Sequence, residues 1–203
     1  SLIYTALHQS KIKNLVTLVT PVDFSTNDGL LFKWGKYLDM DKIVEANGNV
    51  SGDFMNSGFL LLKPYELMVD KYVNLIDDLD DPAKITNFLR MEKWIFDSPD
   101  QVGATIQEFI KDMYHENKLA KGTYTLEDEP VDLKKITCPT LVILGKKDNQ
   151  VPPAATRPII DLIGSKDKEL AEFDTGHIGI FVSRRSQKEV APKINEFLNK
   201  RAR

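Results

Sequence analysis

The 203-residue sequence contains a single cysteine, Cys138. An intramolecular disulfide is therefore excluded, and the usage fits a reducing, cytoplasmic setting. Long hydrophobic runs are missing too. Phe59-Leu60-Leu61-Leu62 is typical of the longest, far short of the roughly 20 apolar residues that span a bilayer. Neither sign of charge dominates: 27 basic residues face 30 acidic ones, for a net charge of -3. That balance leaves no footprint for nucleic acid, and the basic end Lys200-Arg201-Ala202-Arg203 reads as a solvated terminus. Gly-rich phosphate loops, internal repeats and low-complexity tracts are lacking. His8 and His115 have no Cys or second His at ligand spacing, so a zinc site is not expected. Asp77-Asp78-Leu79-Asp80-Asp81 lacks the central Gly of a calcium loop and has Phe88 where the bidentate Glu belongs. It reads as a solvated, helix-capping acid run. No metal and no cofactor are expected.

The N-terminus has neither the basic region nor the small-residue cleavage site of a signal peptide. Ser1 to His8 reads as a helix already under way, either an amphipathic first helix whose Met was removed or a sequence that starts inside a longer protein. What is present is ordinary globular material, 42% hydrophobic and 28% charged. Leu2, Ile3, Ala6 and Leu7 share one helical face, and Asn14 to Thr20 is a short β-rich run of the kind buried on both faces of a parallel sheet.

From Ser25 to Pro130 the periodicity becomes helical. Asp81-Pro82 predicts an N-cap with Pro at the first helical position, and Ser98-Pro99-Asp100-Gln101 predicts a capping box. The parallel-sheet pattern returns after Val131. A strand is expected at Thr140 to Leu144, a helix entered through Pro152-Pro153 and a strand at Glu169 to Phe173. A last helix follows at 187–200, with Pro192 near its start. The expectation is an α/β core of residues 1–24 and 131–203 interrupted by a helical cap, residues 25–130.

Two residues could carry chemistry. Asp148 directly follows the run Leu141-Val142-Ile143-Leu144-Gly145-Lys146-Lys147, and strand carboxyl ends are where open α/β sheets bind ligands. His177 lies in Thr175-Gly176-His177-Ile178-Gly179, where the glycines let a loop aim an imidazole into a cleft. Taken singly, Asp148 reads equally as a turn or capping residue and His177 as a surface loop residue. Taken in order, they are how an α/β-hydrolase presents the last two members of a nucleophile–His–Asp triad. The nucleophile should precede them on a Gly-x-Ser/Cys-x-Gly elbow, and the sequence contains none. In Gly48-Asn49-Val50-Ser51-Gly52 the serine is one position late. Cys138 enters a strand at the end opposite its carboxyl edge, and Pro139 removes an N–H that an oxyanion would need. It reads as a small buried hydrophobe.

Several strings resemble polyhydroxyalkanoate synthases, the catalytic subunit of the two-subunit type. They are Leu18 to Phe24, Arg90-Met91-Glu92-Lys93-Trp94-Ile95-Phe96-Asp97-Ser98-Pro99-Asp100-Gln101, Val131 to Lys134, Asp148 to Pro153, and Gly176 to Gly179. The resemblance implies the C-terminal part of an α/β-hydrolase fold with a helical cap. It also implies an acyltransferase that polymerises (R)-3-hydroxyacyl-CoA through a covalent Cys intermediate, with Asp148 and His177 as the family's Asp and His. The family's Cys would lie just upstream of Ser1. Asn149 departs from the His usual after the Asp. The resemblance further implies a growing polyester, a homodimer with a second synthase subunit, and a cytoplasmic location at the polymer granule surface. Other classes stay open: a catalytically inactive fragment or partner-binding module, or a generic esterase or acyltransferase.

Overall fold

Three of the expected strands lie side by side. In the computed structural model, which describes residues 1–202, the strands are β1 (Leu15–Leu18), a short hairpin of β2 (Thr125–Leu126) and β3 (Glu129–Pro130), then β4 (Thr140–Gly145) and β5 (Lys168–Phe173). β1, β4 and β5 form a parallel sheet in the order β1-β4-β5, with Leu15 opposite Thr140 and Gly145 opposite Phe173. Every residue of β4 is buried, as its unbroken apolar run requires of a central parallel strand. β1 ends at Leu18 because Val19 turns to φ 44°, a rare conformation for a β-branched residue. Its N–H still reaches the Ile143 carbonyl at 2.8 Å. β5 lies at the other edge of the sheet. Glu169 pairs with Lys193 at 2.7 Å and Glu172 with Arg157 at 2.6 Å, and charges of this kind discourage further strand pairing.

The helix Arg184–Asn199 covers one sheet face, burying Val190 and Phe197 against Val19, Leu141, Ile143 and Ile180. Each large side chain so buried contributes on the order of 1.5–3 kcal/mol. The helix starts at Arg184 rather than near 187, with Ser183 Oγ accepting from the Ser186 N–H at 3.1 Å. Pro192 therefore sits in its interior and not in its first turn, a correction to the expected start. A proline there costs about 3 kcal/mol. The burial on either side of it is large enough to offset that.

The chain divides into two compact units, residues 1–37 with residues from 111 onward, and residues 38–110. The division falls inside the range 25–130 that the helical pattern groups together. Its cause in the first unit is an aromatic cluster. Phe24 lies 4.8 Å from Tyr114 and 5.5 Å from Phe32 between ring centroids, and Gly35 packs so tightly that a Cβ there would lie 2.1 Å from the Tyr114 ring. Asn117 adds to it, accepting from the Phe24 N–H at 2.9 Å and donating to Asp23 at 2.8 Å.

The second unit is built of short helices. Asp81 caps Pro82–Phe96 as expected, accepting from the N–H groups of Ala83 and Lys84 at 2.9 and 3.2 Å. The capping box expected at Ser98–Gln101 does not form. Ser98 Oγ donates to Asn56 at 2.9 Å, Asp100 accepts from the Gly52 N–H at 3.0 Å, and Gln101 makes a bridge with Val50. These distant partners take the groups a cap would use, and the helix begins at Gly103 without a side-chain cap. Among the described residues no helix is long and apolar enough to cross a membrane.

Candidate active site: a buried aspartate and the histidine it orients

The end of β4 and the loop after β5 run as a pair. Lys146 N–H donates to the Phe173 carbonyl at 2.8 Å and Lys147 N–H to that of Thr175 at 3.1 Å. Only a glycine fits at 145, where a Cβ would stand 2.5 Å from the Thr175 carbonyl oxygen. Lys147 and Arg185 both bind Asp174, at 3.0 and 3.2 Å. Lys147, then Arg185, hold the Asp174 carboxyl below the usual carboxylate range.

This pairing brings the two predicted residues together. His177 Nδ1–H donates to Asp148 Oδ2 at 2.8 Å. Asp148 Oδ1 accepts two further bonds, from the N–H groups of Gln150 at 2.9 Å and Val151 at 2.8 Å. The Asp148 side chain is wholly buried, and three donors compensate the lost hydration of the carboxylate. An acceptor so placed puts the ring proton on Nδ1 and leaves the Nε2 lone pair to receive another. The imidazole itself is 26% exposed, so a reacting molecule can reach it. The ring is thereby oriented in the way a general base requires.

The support under His177 is rigid. The short helix Gly179–Val182 follows it, and Ile180 is buried in the sheet core. Ser186 Oγ donates to the Gly179 carbonyl at 2.5 Å. Phe181 stands beside the imidazole with 6.4 Å between ring centroids, edge to face. The sequence motif stopped at Gly179 and missed this residue. Its only signal was a large aromatic on a loop otherwise made of small and aliphatic residues.

The remaining candidates lie elsewhere. Cys138 is buried at the amino end of β4, its carbonyl accepting from Thr140 Oγ1 at 3.0 Å. His8 follows the first helix and packs on Tyr4 at 4.5 Å, while His115 Nε2 bonds the Gly35 carbonyl at 3.0 Å. Among the described residues no group of three metal-ligating side chains gathers. Asn149 has its carbonyl oxygen packed on Gly29, where a Cβ would come within 2.9 Å.

A parallel sheet with an acid after one strand and a histidine after the next is an α/β-hydrolase arrangement. Solved structures agree on the fold. A monoacylglycerol lipase from Paleococcus ferrophilus superposes with a TM-score of 0.55 at 15% identity, covering 98% of this chain and 63% of that one. A structure from the metagenome-derived lipolytic pair LipS and LipT gives 0.50 at 12% identity, over 98% and 60%. The chain belongs to the family described as protein of unknown function (DUF3141), whose model matches residues 33–200. It is 53% identical to the poly(3-hydroxyalkanoate) polymerase subunit PhaC of Allochromatium vinosum, over 99% of this chain and 57% of that one. The corresponding subunits of Thiocystis violacea and Synechocystis sp. are 48% and 43% identical, over 57% and 55% of their lengths. These matches bear out the resemblance drawn from the sequence motifs. The chain thus spans a little over half the length of the curated relatives it matches.

Proposed function

We propose that this chain is the part of a poly(3-hydroxyalkanoate) polymerase subunit that supplies the His and Asp of a Cys–His–Asp relay. The observation that carries this is the 2.8 Å bond from His177 Nδ1 to a wholly buried Asp148 carboxylate. Its relatives are named poly(3-hydroxyalkanoate) polymerase subunits, which supports a 3-hydroxyacyl unit as substrate, and the (R)-3-hydroxyacyl-CoA thioester is the form that the family resemblance implies. The nucleophile is a cysteine on an elbow preceding Ser1 in the complete subunit.

The Asp148–His177 geometry supports the proton transfers of this reading. His177 Nε2 takes the thiol proton, and the thiolate attacks the thioester carbonyl. The tetrahedral intermediate expels the coenzyme A thiolate, which receives that proton, and the acyl group stays on sulfur. The 3-hydroxyl of another unit then attacks the enzyme thioester while Nε2 takes the hydroxyl proton. An ester bond forms, the cysteine sulfur leaves, and the proton returns to it. Asp148 stabilises the imidazolium each time without itself being protonated. A helical cap over residues 25–130, which would keep water from the acyl-enzyme, is part of the same proposal. Pairing as a homodimer with a second synthase subunit, at the surface of the polymer granule in the cytoplasm, belongs to the same proposal. Coenzyme A is a product here, and no cofactor is required.

The test uses the complete subunit and follows coenzyme A release from 3-hydroxybutyryl-CoA. His177→Gln and Asp148→Asn should each lower kcat by about 10³-fold or more while circular dichroism stays unchanged. A His177→Gln enzyme near the unmodified rate would remove the general base from this site and the proposed function with it.

A further inference from the structure

Phe181 is an unusual neighbour for a general base. Its ring is 51% exposed although it sits edge to face with His177 at 6.4 Å. The residue before it, Ile180, is 1% exposed, and the one after it, Val182, is 47% exposed. The short helix Gly179–Val182 is therefore pinned to the core by one side chain while it holds two apolar ones outward. The Ser186 bond to the Gly179 carbonyl and the close packing of Gly179 on Thr175 fix that helix in place. Because Asp148 occupies Nδ1, the reacting atoms must approach Nε2 of a ring that Phe181 adjoins at 6.4 Å.

We propose that Phe181 is a specificity-determining residue, forming the apolar wall against which the 3-alkyl substituent of the hydroxyacyl thioester packs. This rests on the acyl-transfer role proposed above and deepens it. The reacting carbonyl and hydroxyl need His177, so the substituent two carbons away falls within reach of a side chain adjoining the imidazole. A methyl substituent leaves the ring room. A longer alkyl chain runs into it, because the ring is mounted on a helix that cannot retreat. The neighbouring charges, Asp174 with Lys147 and Arg185, satisfy one another and leave the phenyl face as the apolar element beside the base.

The experiment uses the complete polymerase subunit with 3-hydroxybutyryl-CoA and 3-hydroxyhexanoyl-CoA. Phe181→Ala should raise the hexanoyl-to-butyryl ratio of kcat/KM by about tenfold, the scale of one or two methylenes gained in an apolar pocket. Phe181→Leu should give an intermediate shift and Phe181→Tyr almost none. If Phe181→Ala and Phe181→Leu lower both substrates alike, or leave the ratio within ~twofold, the wall does not exist. Phe181→Leu decides the matter if the alanine variant is insoluble. His177→Gln measured alongside separates the two failures. Loss of turnover in that variant with an unmoved ratio for Phe181 overturns the wall alone, whereas retained turnover overturns both.

Discussion

Gly145 and Thr175 touch backbone to backbone: a Cβ added at 145 would lie 2.5 Å from the Thr175 carbonyl oxygen. Three residues beyond Gly145 stands Asp148, and two beyond Thr175 stands His177, so this contact sets the spacing of the hydrogen-bonded Asp148–His177 pair. Gly145→Ala should force the two segments apart by a few tenths of an ångström or more. Overpacking of this kind costs about 1–3 kcal/mol. The larger loss is expected in kcat, since a misplaced base loses its alignment. Thermal unfolding together with coenzyme A release in the complete subunit checks both. A variant with unchanged stability and rate would show that the two backbones separate without consequence.

The pair itself was legible in the sequence because each member obeys a local rule. A buried run ended in an acid, and a Gly-flanked histidine followed the next strand. Asp81-Pro82 was legible for the same reason, as its capping bonds reach only two and three residues ahead. What misled was every segment whose partners are distant. Ser98 and Asp100 have the composition of a cap, yet they bond to Asn56 and Gly52. The aromatic cluster of Phe24, Phe32 and Tyr114 likewise joins residues far apart along the chain, which periodicity within a window does not see. Phe181 escaped notice because nothing local marks a side chain as adjoining an imidazole.

Tyr114 makes stability fall in alkali. Burial pushes its phenol up to about 12 from an ordinary 10.0. Below pH 10 both states are protonated. Between 10 and 12 the unfolded chain loses the proton first, so the native state binds more protons and stability declines as pH rises. The decline from this group amounts to roughly 2–3 kcal/mol across that window. Denaturant unfolding of the protein and of Tyr114→Phe at a series of pH values reads the difference. The two curves should run parallel below pH 10, and above it the unmodified protein should lose stability relative to Tyr114→Phe. Parallel curves throughout would mean that Tyr114 ionises as freely folded as unfolded.

Pro192 lies inside the helix Arg184–Asn199 and can donate no backbone hydrogen bond. Its ring also crowds the carbonyl of the preceding turn. Pro192→Ala should restore one intrahelical bond and stabilise the protein by about 1–2 kcal/mol, the helical gain being partly offset by a freer unfolded chain. Val190 and Phe197 flank it and are buried, so the helix face must stay where it is. A rise in the unfolding midpoint with unchanged circular dichroism is the expected result. A fall would show that the proline is needed to seat those two side chains.

The 203-residue chain by itself should release no coenzyme A from 3-hydroxybutyryl-CoA. Its one thiol, Cys138, is buried at the amino end of β4, while Asp148 follows the carboxyl end of the same strand. The intervening strand, at about 3.3 Å per residue, puts the thiol roughly 20 Å from the imidazole's partner. A thiol that distant cannot pass its proton to His177, and Pro139 beside it offers no N–H for an oxyanion. Removing the nucleophile from a working triad costs about 10⁶-fold in rate even when the other members stay in place. Turnover by the isolated chain that disappears in Cys138→Ala would reverse the argument. It would make Cys138 the reactive group and leave the Asp148–His177 pair without its proposed partner. Turnover that survives Cys138→Ala would point instead to direct attack by water with His177 as base. The isolated chain would then behave as a hydrolase, and 3-hydroxybutyrate would accumulate in place of polymer.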